Sequence, residues 1–222
     1  MILLLSHFYK ILFEYLIMRT FIFYSNTIRT DGNFKNIYYS GRLDIAINSI
    51  IHAFFVSNGL RKNIRFDLYL NGKPVPPRLI RIESNINTPW SKKDISTLLS
   101  ISLKKYNKKN IKNPFPGIYV DKIDFFNLLN EYKNNGKNIY LLDKDGEFIE
   151  NIKIENPVFI IGDFLGIPKD IKKKIENDVI KISLGDINYF SSQVIVILNY
   201  YLDKMNFEKD IYDTSYKFIY RE

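Results

Sequence analysis

The chain has 222 residues, 46% of them hydrophobic and 15% aromatic, enough for one well-buried core or a main domain with a smaller lobe. It holds no cysteine, which excludes disulfides, thiolate metal sites and a cysteine nucleophile, and its two histidines, His7 and His52, stand far apart, against a histidine metal site or a serine–histidine hydrolase. The net charge of +8 favours an anionic partner, with modest weight, because the abundance of Lys, Ile, Asn, Tyr and Phe also follows from A/T-rich coding. Proton transfer falls to carboxylate, Lys, Tyr or water.

Residues 1–17 are apolar and aromatic but broken by Lys10 and Glu14, so no uncharged run reaches bilayer length, and no signal-peptide pattern follows. Met18-Arg-Thr-Phe-Ile-Phe reads as a natural start, with 1–17 an upstream extension or accessory helix. Residues 19–24 predict the first strand. Gly41-Arg-Leu-Asp44 then leads into a helix over 45–58, where Ile47, Ile50, Ile51, Phe54 and Phe55 recur at helical spacing. Asp44 suits the helix start as a cap and dipole partner. Arg42 stands outside the apolar stripe. Residues 64–70 and 79–82 read as strands joined by an irregular loop with Pro74, Pro76 and Pro77.

Ser91, with Asp94 three residues on, caps a helix through about residue 103. Lys104, Lys105, Lys108, Lys109 and Lys112 form a basic run; if RNA is bound, these with Arg61, Lys62 and Arg65 are candidates for phosphate contacts. A brief strand at 118–120 precedes a helix over 122–132 capped by Asp121. Residues 138–142 predict a strand closed by a turn at 143–146. Val158-Phe-Ile-Ile161 predicts a strand buried on both faces, opened by Pro157 and followed by Gly162 and Gly166. A helix begins near Ile167 with Pro168 early in it, a strand over 179–184 ends at Gly185, and a last apolar helix spans 190–204. The alternation of strands and helices argues for an α/β fold with mostly parallel strands. Leu142, Gly162 and Gly185 then fall at neighbouring strand ends, where open sheets bind ligands. Neither GxGxxG nor GxxxxGK[ST] occurs.

Gly41-Arg-Leu-Asp44, Asn71-Gly-Lys-Pro-Val-Pro-Pro77, Pro116-Gly-Ile-Tyr-Val120, Asn156-Pro-Val-Phe-Ile-Ile-Gly-Asp163 and Ile182-Ser-Leu-Gly185 occur in an order that resembles the archaeal tRNA (pseudouridine-54) N1-methyltransferase (TrmY) family of the SPOUT superfamily. The resemblance runs from about residue 18 to 203. It implies a single SPOUT methyltransferase domain over 18–205, a C-terminal trefoil knot, a homodimer, and a tail over 206–222 of no assigned role. It implies S-adenosylmethionine bound by Leu142, Gly162, Gly166, Ile182, Ser183, Leu184, Gly185, Asp186, Ile187 and Val194. It implies cytoplasmic action on tRNA, with neither metal nor membrane. The chain departs from the family at Phe164 and Val194, where His and Cys are frequent, at Asn199-Tyr200-Tyr201 in place of His-Asn-Glu, and at Asn48 and His52 in place of Arg and Asp.

The implied reaction moves a methyl group to N1 of pseudouridine, with Asp44 accepting or orienting the N1 proton and Arg42 offsetting charge on the ring. Asp163 is expected to support its loop rather than react. The alternatives are a SPOUT enzyme acting on ribosomal RNA pseudouridine or another uridine, and an RNA-binding SPOUT protein without turnover.

Overall fold

The computed structural model describes residues 18–57, 59–84, 91–205 and 211–213. The extension expected over 1–17 and most of the tail expected over 206–222 lie outside the described residues. In chain order the elements are β1 (Arg19–Ser25), α1 (Leu43–Phe54), β2 (Phe55–Val56), β3 (Gly59–Arg61), β4 (Ile64–Leu70) and β5 (Arg78–Glu83). There follow α2 (Lys92–Lys109), β6 (Ile118–Asp121), α3 (Phe125–Asn134), β7 (Asn138–Phe148) and β8 (Pro157–Gly162). The last are α4 (Lys169–Ile175), β9 (Ile180–Ser183), α5 (Ser191–Lys204) and β10 (Ile211–Asp213).

Seven strands form one sheet in the order β6-β5-β4-β1-β8-β7-β9. The five strands β4, β1, β8, β7 and β9 run parallel, and β5 and β6 add antiparallel pairings at one side. β1 is buried along its whole length because it lies in the middle, with helices over both faces. Its side chains alternate between two cores. Phe21 and Phe23 join the helices α1, α2 and α5 on one face, while Ile22 and Tyr24 join α3 and α4 on the other. β10, β3 and β2 make a small antiparallel sheet apart from the main one.

Several boundaries differ from the sequence reading. α1 stops at Phe54, where the chain turns into β2, instead of continuing to residue 58. Ser91 does cap α2, its Oγ accepting from Asp94 N at 3.1 Å, but the helix runs on to Lys109, so most of the basic run is helical. Asp124 replaces Asp121 as the cap of α3, its Oδ1 accepting from Phe126 N at 2.9 Å. Asp121 instead ends β6 and pairs with Lys112 at 2.9 Å. The turn expected at 143–146 is an irregularity inside β7: Ile182 of β9 faces both Leu142 and Glu147.

Candidate active site

Because five strands are parallel, their carboxyl ends meet at one edge of the sheet, and the loops there build the site. Tyr24 of β1 sits beside Gly162 of β8, and Leu142 of β7 beside Ile182 of β9. Beyond Leu142 and Ile182 opens a cleft of about 130 Å³, bounded on its far side by Ile187, Asn188, Tyr189 and Val194. The chain after β9 turns at Gly185, whose N–H donates to Ser183 Oγ at 3.1 Å. Asp143 and Lys144 also line the cleft. Burial opposes ionisation of Asp143, but the Lys172 ammonium, 2.7 Å from its Oδ2, and the Asp145 amide outweigh it and hold its carboxyl below the usual range.

The loop 162–166 is fixed by Asp163, which is buried. Its Oδ2 accepts from Ser25 Oγ at 2.7 Å, and its Oδ1 accepts from Leu165 N at 2.9 Å. Thr27 Oγ1 lies 3.1 Å from Asp163 Oδ2 and 2.9 Å from Gly41 O, with one proton for the two acceptors. The backbone then folds back, Gly166 N donating to Asp163 O at 2.9 Å. A Cβ on Gly162 would stand 2.6 Å from the Gly166 backbone, so the position excludes a side chain. Ser191 Oγ donates to Gly162 O at 2.7 Å and so ties this loop to α5, which carries Val194 into the cleft.

Arg42 also meets that loop, and Asp44 pairs with Arg42. Arg42 takes a left-handed backbone (φ 60°) at the junction into α1, which turns its side chain back onto the first helical residues. Its Nε and Nη2 donate to Asp44 Oδ1 at 3.0 Å and Oδ2 at 3.1 Å. Asp44 therefore holds Arg42 with both oxygens and keeps only the dipole part of the helix-start role expected for it. The bond to Asp44 and its charge raise the Arg42 pKa. The guanidinium also lies over the ring of Phe164, 5.9 Å from its centroid.

Of the residues expected around the cofactor, Leu142, Ile182, Ser183, Leu184, Gly185, Ile187 and Val194 do line this one cleft. Gly162 and Gly166 shape the loop behind it, and Asp186 is exposed without lining it. Asp143, Lys144, Asn188 and Tyr189 also line it and were not foreseen; Asp143 and Lys144 read as turn residues, and nothing in their pattern marked them. Two phosphate candidates are spent inside the protein. Arg61 is buried against Asp203 at 2.6 Å and Arg65 against Glu83 at 2.6 Å. Lys104, Lys108 and Lys109 are exposed. Among the described residues no group of three His, Cys, Asp or Glu could hold a metal, and no helix is long and apolar enough to cross a membrane.

Residues 18–207 match the family described as "Putative SAM-dependent RNA methyltransferase". The tRNA (pseudouridine(54)-N(1))-methyltransferase of Methanocaldococcus jannaschii is 37% identical over 199 residues, 84% of this chain and 97% of that protein. The enzymes of the same name from Methanococcus aeolicus and Thermococcus kodakarensis are 35% and 31% identical, over 84% and 85% of this chain and 98% and 100% of theirs. Among solved structures, Archaeoglobus fulgidus Nep1 bound to S-adenosylhomocysteine superposes with a TM-score of 0.58 at 11% identity, over 85% of this chain and 99% of that one, which is a likeness of fold. With a family match over most of its length and relatives above 30% identity, the chain belongs to this family of SAM-dependent RNA methyltransferases.

Proposed function

We propose that the chain methylates N1 of pseudouridine 54 in tRNA, taking the methyl group from S-adenosylmethionine. The observation that carries the reading is one shared loop: residues 162–166 are tied through Gly162 to α5, which lines the cleft with Val194, and through Phe164 to Arg42, which is paired with Asp44. The family match and the names of the relatives support it. The cleft suits this cofactor chemically. Leu142, Ile182, Leu184 and Val194 offer apolar walls for the adenine, the backbone of 183–185 offers hydrogen-bonding groups, and Asp143 offers a carboxylate to a cationic group. The cofactor supplies an electrophilic methyl group, so the protein's work is alignment and charge balance.

Asp44 accepts or orients the N1 proton of the target, and Arg42, already held by that carboxylate, offsets charge developing on the ring. The domain spans 18–205, with 1–17 and 206–222 outside it. The C-terminal knot enters this reading through the family match alone, and β9 packs closely on the β7 irregularity, where a Cβ on Gly146 would stand 2.5 Å from Ile182 N. A homodimer is supported by the apolar side chains left exposed beside the cleft, Ile187, Phe190, Val196 and Tyr200. A tRNA substrate is compatible with action in the cytoplasm, which completes this reading.

The decisive assay is methyl transfer to a T-arm stem-loop that carries pseudouridine at the target position, against its uridine counterpart. Methylation of the first alone is expected. Methylation of both, or of neither with the cofactor bound, would sink the assignment.

A further inference from the structure

Four apolar side chains stand exposed around Arg42: Tyr39 is 90% exposed, Leu165 68%, Tyr38 60% and Phe164 48%. Tyr38 and Tyr39 lie on a turn fixed from both ends. Tyr38 N donates to Asn36 Oδ1 at 2.8 Å, Ser40 Oγ donates to Asn36 O at 2.6 Å, and Gly41 is pinned against the Thr27 backbone. Phe164 and Leu165 form the tip of a loop that Asp163 fixes equally well. Phe164 carries the guanidinium of Arg42 over its ring. Rigid, solvent-facing rings beside a cation lose little entropy on binding, and their faces suit flat ligands.

We infer that the turn 36–42 and the 164–165 tip form a stacking platform for unpaired bases next to the target nucleotide. Proteins that choose sequence in RNA act mostly on loops, whose unstacked bases lie on aromatic rings and Arg planes. A base placed in reach of Asp44 and the cleft must leave its stack, and the neighbours it leaves need new partners. The net charge of +8 and the central Arg42 favour this occupant over an apolar protein surface. The inference rests on the RNA substrate proposed above.

The test uses the full chain and a pseudouridine T-arm stem-loop with 2-aminopurine beside the target. Binding is followed by anisotropy and by the quenching that stacking produces. For Tyr38→Ala/Tyr39→Ala the dissociation constant is expected to rise about 10-fold or more. The quench is lost, while Tyr39→Phe keeps both. The salt slope of binding is unchanged, since rings neutralise no phosphate. Binding of S-adenosylhomocysteine and the melting temperature stay at the unsubstituted values. Unchanged affinity and quench in the double variant would overturn the platform. So would a Tyr39→Phe variant as weak as Tyr39→Ala, a change of oligomeric state in sedimentation (a second copy on this face), or failure of the unsubstituted chain to bind the loop. Tyrosine-dependent quenching without methylation would overturn the pseudouridine assignment and leave the platform standing; methylation with tyrosine-independent binding would do the reverse.

Discussion

At the scale of single residues, two carboxylates near the same loop carry opposite expectations. Asp44 is 12% exposed but its partner Arg42 is 44% exposed, and an ion pair with one side in solvent adds little to stability. Asp44→Asn should therefore melt within about 1 kcal/mol of the unsubstituted chain, yet lose about 100-fold or more in single-turnover methylation. Full single-turnover activity would show that Asp44 does not handle the N1 proton. Asp163 is the reverse case, because it is buried and its oxygens satisfy Ser25 and the Leu165 amide. Asp163→Ala removes the acceptor of the Leu165 amide and leaves Ser25 only the longer contact to Thr27 Oγ1 at 3.2 Å, and should cost about 2–3 kcal/mol. Its melting temperature should still rise on adding S-adenosylhomocysteine, since Asp163 does not line the cleft. Loss of that rise would move Asp163 into the binding site.

At the scale of elements, α5 is held to the sheet by charge as well as packing. Arg19, at the start of β1 and almost fully buried, donates to Asp203 Oδ1 at 2.6 Å and to Asn199 Oδ1 at 3.0 Å, and Arg61 grips Asp203 through both oxygens. Burial opposes ionisation of Asp203, but the two guanidinium groups more than offset it and lower its pKa below the ordinary 3.8. A carboxyl lowered on folding binds fewer protons folded than unfolded, so its stabilisation is complete above that ordinary value and fades as pH falls through the lower one. Melting followed from pH 6 to pH 3 should show this loss below about pH 4. Asp203→Asn should be less stable at pH 6 by about 2–4 kcal/mol, under the cost for a fully buried pair because the carboxylate is one-third exposed, and the gap should narrow in acid. An equal gap at both pH values would mean that the ion pair is not what holds α5. None of this triad was legible in the sequence, because 184 positions separate Arg19 from Asp203. The strands were legible wherever burial on both faces leaves a continuous apolar run, as in Val158-Phe-Ile-Ile161. Asp143-Lys-Asp-Gly146 misled, since turn-forming residues inside a strand look the same as residues that end it, and only the renewed pairing of Glu147 and Phe148 with β9 tells them apart. Asp121 and Asp124 were equally good caps by type; the apolar stripe Phe125, Leu128, Leu129 and Tyr132 is what places the helix start after the second. In the site, the glycine bends could be read locally, the lining by 182–185 and Ile187 came through the family motif, and the reach of Asp143 to the cleft needed the fold.

At the scale of the whole molecule, the basic run and the candidate site turn out to share one edge of the sheet. β5 begins at Arg78 opposite Leu70, the carboxyl end of β4, and Arg78 Nε donates to Asn107 Oδ1 of α2 at 2.8 Å. Asn107 Nδ2 in turn donates to Thr30 O, just beyond the carboxyl end of β1, at 3.0 Å. The last turns of α2 are thereby fixed beside the strand ends that carry Arg42, Gly162 and the cleft. Exposed Lys104, Lys108 and Lys109 lie on those turns, whereas Arg61 and Arg65 are committed to Asp203 and Glu83. An RNA stem whose loop enters the site would pass this helix, and each phosphate that a lysine neutralises steepens the salt dependence of binding by about 0.9 in the log–log slope. Replacing all three lysines with Gln should flatten that slope by about 2–3 and weaken stem-loop binding most at low salt. Lysine-to-glutamine changes on an exposed helix face should leave S-adenosylhomocysteine binding as it was. A slope that does not move would take the stem off α2. The Tyr38 and Tyr39 substitutions, which change affinity at constant slope, then distinguish the contacts that hold the backbone from those that hold the bases.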